Sequence, residues 1–255
     1  MAWHARTDSK RGDVVNGKGS PWSGAMTLGM GWAWLDARIG DNRAHRHVAH
    51  QISLALDDEC EIGGSSPLRL RQGDALLIPA GTLHCLAPAG IAVRTIYVDP
   101  MFRGRNSLAA QTVCTRLNRD DASALLAIQD GKQARQWIAD FLGLVGSRII
   151  DRRLRAGLAE SDADTSTTAL AGMIGLSPAR VREIAVRDFG VPPSKLLQWL
   201  QLQRAIDALR QSRNLADAAA TGGFSDQAHF TRRLVEWFGV TPASGLNGLD
   251  ISVSD

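Results

Sequence analysis

The chain has 255 residues, 44% of them apolar, and a formal net charge of +3. That composition excludes disorder of the whole chain and leaves room for one large domain or two ordinary ones. No run approaches the roughly 18 unbroken apolar residues of a membrane helix, and no apolar segment follows the charged start MAWHARTDSKRGD, so a cytoplasmic protein is expected.

The first hundred residues read as β structure. Short apolar runs such as QISLAL, LRLRQGDALLIPAG and GIAVRTIYV are bounded by Gly, Pro and Asp turns. Cys60, Cys85 and Cys114 have no CxxC spacing and read as reduced thiols. Four of the six histidines fall in two stretches of this half, GDNRAHRHVAH (Gly40 to His50) and GDALLIPAGTLH (Gly73 to His84). The second stretch fits Gly-x5-Pro-x-Gly-x2-His in full and the first supplies His-x-His, so this half resembles a cupin β-barrel. That resemblance would put His45, His47 and His84 on one side of a barrel, where neutral imidazoles suit Zn, Fe, Ni or Cu. Gln51 stands where a metal-binding cupin commonly has Glu, and the alternative is that the histidines only line a pocket. A barrel mouth also suits a small effector. Trp32 and Trp34 are candidates to stack on it beside His45, His47 and His84, unless they are core residues, as Trp199 and Trp237 are expected to be.

After Pro100 the texture becomes helical. Asp120 to Gly146 holds Leu125, Leu126, Ile128, Trp137, Ile138, Phe141 and Leu142 at helical spacing, more apolar surface than a linker needs. It is expected to pack on the barrel and to serve partly as a dimer interface.

The last eighty residues contain a repeat. GLSPARVREIAVRDFGVPP from Gly175 and GFSDQAHFTRRLVEWFGVTP from Gly223 share Gly, an apolar residue, Ser, a helix and Phe-Gly-Val-x-Pro, with one extra residue after the second Ser. Each follows a short Ala-rich helix, and PPSKLLQWLQLQRAIDALRQ connects them as one long helix. Ser177 and Ser225 read as N-caps. Val181, Ile184 and Ala185 in one copy, and Phe230, Leu234 and Phe238 in the other, form the core face. The opposite face then carries Ala179, Arg180, Glu183 and Arg187, and Ser225, Ala228, His229 and Arg232. A short helix, a Gly turn and a capped second helix make a helix-turn-helix. Residues 151–255 carry 12 basic and 12 acidic side chains, but Ser177 to Arg233 holds 9 and 5, a local balance of +4. That is a modest footprint for an anionic partner.

These residues, Gly222 to Arg233 with Phe238-Gly239-Val240-Thr241-Pro242, resemble the C-terminal signature of the AraC/XylS transcriptional regulators. The resemblance covers about Asp151 to Leu246 and implies a two-module DNA-binding domain that activates or represses promoters with RNA polymerase, under the control of an N-terminal domain. It places Ala179, Arg182 and Glu183 of the first reading helix, and Gln227, Ala228, Thr231 and Arg232 of the second, toward the bases, with Arg180, Arg187 and His229 beside them. Glu183 departs from the family's frequent Arg, and Ala185 and Leu234 replace a common large aromatic.

The expected fold is two-domain and α+β: a cupin-like sensor barrel over residues 1–100, a helical linker and dimerisation region over 101–150, and an all-α domain with two helix-turn-helix modules over 151–247. The expected function is that of an effector-responsive regulator, a homodimer and not an enzyme. The alternative is a cupin metalloenzyme, a dioxygenase or isomerase, with an accessory helical domain.

Overall fold

The computed structural model describes residues 21–40, 43–64, 67–100, 102, 105–106, 108–144, 151–212, 214–239 and 248–254. Two architectures meet in it, as expected: a large β region followed by helices.

The β region begins with the hairpin of β1 (Ser23–Gly29) and β2 (Trp32–Arg38). It continues through β3 (His50–Ala55), β4 (Cys60–Gly63), β5 (Leu68–Leu70), β6 (Ala75–Ile78), β7 (Cys85–Ala87), β8 (Ala92–Val98) and the short β9 (Thr115–Arg116). The main sheet is completed by a strand from the far end of the chain, β10 (Leu249–Val253), and its order is β10-β1-β2-β8-β3-β6-β9. A smaller sheet, β5-β4-β7, lies apart from it. The β10 strand runs parallel to β1, from Gly24 opposite Leu249 to Leu28 opposite Val253. The sequence reading had placed no strand there.

Because side chains alternate across a strand, the main sheet has two apolar faces, which belong to different clusters. Ala33 and Leu35 of β2, with Val93 and Tyr97 of β8, join the interior cluster, which continues into the C-terminal helices. Trp32, Ile52, Leu54, Ile96 and Val98 form the outer cluster. That face is covered by α1 (Arg119–Leu126) and α2 (Gly131–Phe141), which bury Leu125, Trp137 and Ile138 against it together with Ile128 and Leu142. The interdomain segment thus packs on the barrel, while Leu126 remains exposed. Arg94 ties sheet to helix: its guanidinium donates to Asp36 through Nε and Nη2 and to the carbonyls of Leu125 and Leu126 at the end of α1. A buried guanidinium is tolerable only with partners of this kind.

The helical domain contains α3 (Arg152–Glu160), α4 (Thr167–Met173), α5 (Pro178–Phe189), α6 (Pro193–Ser212), α7 (Leu215–Gly222) and α8 (Gln227–Phe238). The 20 residues of α6 make a rod about 30 Å long. The pairs α4–α5 and α7–α8 are the two copies of the repeat. In the first, Ser177 caps α5 by accepting from Arg180 N, with Pro178 at the first position. In the second, the cap is Asp226 rather than the expected Ser225: its carboxylate accepts from His229 N at 2.7 Å. The extra residue after Ser225 is therefore absorbed by moving the cap one place, and both helices run 12 residues from cap to Gly. Gly190 and Gly239 end them in the left-handed region, at φ 76° and 72°, where only glycine sits without strain.

Candidate nucleic-acid interface and histidine cluster

The common capping register aligns the helices residue by residue. Val181 corresponds to Phe230 and Ala185 to Leu234, and all four are buried. Ile184 and Phe238 are buried too. On the other side Ala179, Arg180, Arg182, Glu183 and Arg187 of α5 are exposed, as are Gln227, Ala228 and Arg232 of α8; His229 and Thr231 are half-buried. Each helix therefore has one face in the core and one in solvent.

The polar residues on these faces differ in their engagements. Arg180 pairs with Glu183 at 2.7 Å, one turn along α5. Arg187 is held by Asp188, whose carboxylate is buried and also accepts from Asp151 N. His229 Nδ1 lies 3.3 Å from Ser225 Oγ, and its ring stands edge-on to Phe224. Among the described residues, Arg182 and Arg232 are in no ion pair. Glu183 occupies in α5 the place that Arg232 occupies in α8, so equivalent positions of the two modules carry opposite charges. The Asp226 carboxyl sits below the usual range, chiefly because it accepts from the backbone at the start of α8.

In the β region, one ring nitrogen from each of His45, His47 and His84 lies within 4.8 Å of the other two. The backbone fixes two of these rings in place, because His45 and His84 exchange a pair of backbone hydrogen bonds, 2.9 and 3.0 Å. His47 and His84 are buried and His45 is half-buried. In all three rings Nδ1 faces a backbone carbonyl: Arg43 O at 2.8 Å, Ala49 O at 2.9 Å and Thr82 O at 3.0 Å. A carbonyl only accepts, so Nδ1 carries the proton. Burial pushes all three pKa values down, that of His84 to about 3, so the rings are neutral and Nε2 presents a lone pair.

The Nε2 atoms of His47 and His84 meet one end of the Gln51 side chain, with Oε1 at 2.8 and 3.1 Å. Three acceptors converging in this way are compatible only with a cation among them or with the reversed amide. Without one, the amide satisfies both rings by turning its NH2 end toward them. The other end of the amide joins a buried chain through Ser53 to Thr95, at 2.8 and 2.9 Å. The donor set thus fits a divalent cation of the late first row, held by neutral imidazoles. The Gln51 amide supplies no charge to compensate such an ion.

Trp32 and Trp34 are not brought to the histidines. Alternation puts both on the outer face of β2, where Trp32 is buried in the outer cluster and Trp34 lies under the Arg94 guanidinium, 5.3 Å from its centre. Tyr97, which the sequence reading did not single out, does reach the cluster: its ring stands edge-on to His47 at 5.5 Å and to Phe238 of α8 at 5.4 Å.

Two of the places where the helices meet the β region, among the described residues, bear on the site. At one, the Trp199 ring of α6 lies on Gly31 in the β1–β2 turn, where a Cβ would overlap it. Trp199 Nε1 donates to the buried Asp99 carboxylate at 3.1 Å, and Lys195 Nζ lies 3.4 Å from the same carboxylate. At the other, the end of α8 covers the histidines. Val48 N donates to Glu236 O at 2.7 Å, and a Cβ on Gly239 would overlap Cδ2 and Nε2 of His45. An open cleft lined by Arg46, His47, Val48, Ala80, Gly81 and Glu236 leads in beside this joint.

Residues 170–246 match a family model described as a helix-turn-helix domain, of the AraC type. The C-terminal part of the chain is accordingly the DNA-binding domain of a transcriptional regulator. The chain is similar to ToxT from Vibrio cholerae (TM-score 0.45, 10% identity, 84% of this chain and 97% of that one). It is also similar to an unsaturated fatty acid-bound ToxT (0.41, 12%, 83% and 92%). The chain is also similar to the S161A mutant of a Bacillus subtilis oxalate decarboxylase (0.24, 12%, 61% and 31%). No curated protein matches the chain in sequence. Among the described residues, no helix is long and apolar enough to cross a membrane.

Proposed function

We propose that this chain, with an AraC-type helix-turn-helix domain at residues 170–246, is a cytoplasmic regulator that reads two adjacent major grooves of a promoter through α5 and α8. The observation that carries this reading is the shared register of the two helices, each with a buried apolar face and an exposed face around Ala179, Arg182 and Glu183 or Gln227, Ala228, Thr231 and Arg232. The 20-residue α6 between the modules is about 30 Å long, close to the roughly 34 Å that separates successive grooves on one face of DNA. Arg232 is the leading base contact, since an exposed Arg outside any ion pair can give two parallel bonds to guanine O6 and N7. Arg180, Arg187 and His229 flank the bases. Arg187 is already committed to Asp188 and serves as a phosphate neighbour at most.

The β region is the sensor, with its effector at His45, His47 and His84; Trp32 and Trp34 belong to the packing of α1 and α2. The domains divide near residues 100 and 150, with β10 as the exception that returns to the sensor. Activation runs through RNA polymerase, and the protein acts as a homodimer. Because α1 and α2 spend their apolar faces on the sheet, the dimer contact falls on what they leave exposed, Leu126 included. The protein is a regulator and not an enzyme: among the described residues, the neutral Gln51 meets His47 and His84 where a carboxylate usually completes a cupin catalytic centre.

Selection of bound sequences from a random DNA pool by the full chain tests this reading. The expected result is a motif of two elements about one helical turn apart. Recovery of no motif, with only weak and steeply salt-dependent binding, refutes it. Light scattering that shows a monomer at micromolar concentration refutes the dimer.

A further inference from the structure

We propose that one turn of α6, Gln201 to Ala205, clamps the two helix-turn-helix modules to each other, and that Arg204 is the positioning residue that fixes the spacing and phase at which α5 and α8 meet DNA. This rests on the regulator reading above and specifies which operators the pair of modules accepts.

The long helix does not fix that geometry by itself. Its 20 residues set how far apart its two ends stand, but a module joined to an end only through a turn can swing about that turn. A second connection is made at the middle of the rod. There α7 ends against α6, so closely that a Cβ on Gly222 would overlap Ala205 Cβ and Gln201 O. From the first module, the loop 161–165 between α3 and α4 reaches the same turn of α6. Arg204 donates through Nη1 to Ser161 O at 3.1 Å and through Nη2 to Asp162 O at 2.8 Å, and Gln201 Nε2 donates to Ala163 O at 3.1 Å. One turn of helix thus holds three successive carbonyls of the first module. The turn before α8 closes the contact, because Ala163 fills the space that a Cβ on Gly223 would need, 2.7 Å from its O and 2.8 Å from its Cβ. The two modules therefore touch directly, at Ala163 and Gly223.

The loop is stiff enough to transmit this hold. Thr165 Oγ1 accepts from Asp162 N at 2.9 Å and donates to Asp162 Oδ1 at 2.5 Å, and Asp164 N donates to the same oxygen at 3.1 Å. Ser166, the next residue, caps α4 by accepting from Ala169 N. A shift of the loop is consequently a shift of α4 and of α5 behind it. Arg204 suits the task, because a planar guanidinium offers two charged donors in a fixed fork that a lysine does not have. For DNA the consequence is phase. One base pair added between the two elements moves the second by about 3.4 Å and turns it by about 34–36° around the axis. Hinged modules follow that movement, and clamped modules do not.

The experiment uses the full chain and the two-element DNA that it selects, remade with one base pair added or removed between the elements. The wild type should bind both altered sites about 5- to 150-fold more weakly, the discrimination lost with one good base contact. Arg204→Met, which keeps the stem and removes the fork, should lose most of that penalty while binding DNA with only one intact element as the wild type does. The second readout needs no DNA: spin labels on non-natural residues in place of Ala179 and Ala228 report the distance between α5 and α8. A narrow distribution that broadens in Arg204→Met is expected. If Arg204→Met melts early or loses the single element, Gln201→Met, which removes only the bond to Ala163, is judged by the same criteria. A wild type indifferent to the gap, a variant as strict as the wild type, or equal label distributions overturn the clamp. A chain that selects no DNA element, yet shows the narrow distribution and its broadening, overturns the regulator reading and leaves the clamp standing.

Discussion

Phe230 offers the strictest test of how α8 is held. Its ring is fully buried in the second module, 5.2 Å from Phe224, in the cluster that contains Leu234, Phe238, Ala218 and Ala219. Phe230→Ala removes about 2–3 kcal/mol of burial and leaves a cavity that well-packed helices close only partly, for a total of about 3–5 kcal/mol. Against an overall stability of about 5–15 kcal/mol, that is a large share. How far the melting temperature falls depends on what melts together. A helical domain of about 100 residues unfolding alone would drop by roughly 12–40 °C, whereas a cooperative unit of the whole chain would drop by roughly 6–20 °C. The interior cluster runs unbroken from Leu35 and Tyr97 of the sheet to Phe230 and Phe238, so one transition with the smaller shift is expected. Calorimetry, with circular dichroism as a second probe, measures it. A variant that melts with the wild type refutes the burial of Phe230, and two separate transitions refute the unity of the core.

Three other outcomes follow from the structure. Arg232→Ala should weaken binding to the selected element by roughly 1–3 kcal/mol and relax preference at one base position; unchanged affinity and preference in a titration series would show that the reading face lies elsewhere. Trp199→Phe removes the indole donor from the buried Asp99 carboxylate and should cost about 1.5–3 kcal/mol in urea unfolding, the range for a bond to a charged group; no loss would mean that Asp99 is satisfied without the indole. In metal-free buffer, stability should fall with acid. His84 stays neutral in the native state down to about pH 3, while the unfolded chain takes up a proton near its ordinary 6.5. The loss thus begins below pH 6.5, at up to about 1.4 kcal/mol per pH unit for this one ring, and levels off near 3. A midpoint in urea that is flat from pH 6.5 to 4.5 would contradict this.

Much of this was legible in the sequence because it is written locally. The 3.6-residue spacing of Val181, Ile184 and Ala185, the Gly stops and the Ser177 cap fix α5 with no knowledge of its surroundings. The cupin resemblance, carried by Gly-x5-Pro-x-Gly-x2-His and His-x-His, implied that His45, His47 and His84 share one side of a barrel, and their ring nitrogens do lie within 4.8 Å of one another. The Asp226 cap could have been found, since Asp caps as well as Ser and an equal cap-to-Gly length in both copies requires it. For Trp32 and Trp34 the sequence left an effector face and the core both open, because alternation says that they share a face but not which face looks inward; they pack in the outer cluster. The seat of His45 on Gly239 joins residues far apart in the chain, and no local pattern records it. The five residues of β10 carry too little alternation to distinguish a strand from a tail.

That last strand has a practical consequence. The chain leaves the sheet, builds the helical domain and comes back to lie beside β1, with Ser254 N donating to Leu28 O, so the order of the sequence is not the order of the domains in space. Any fragment cut near residue 150 to isolate the sensor leaves one of its own strands on the other piece. The β1 edge would then be bare, a row of unpaired peptide groups open to a second copy of the fragment. Self-association measured on such a fragment would report the cut, and the assembly state of this protein has to be read from the uncut chain.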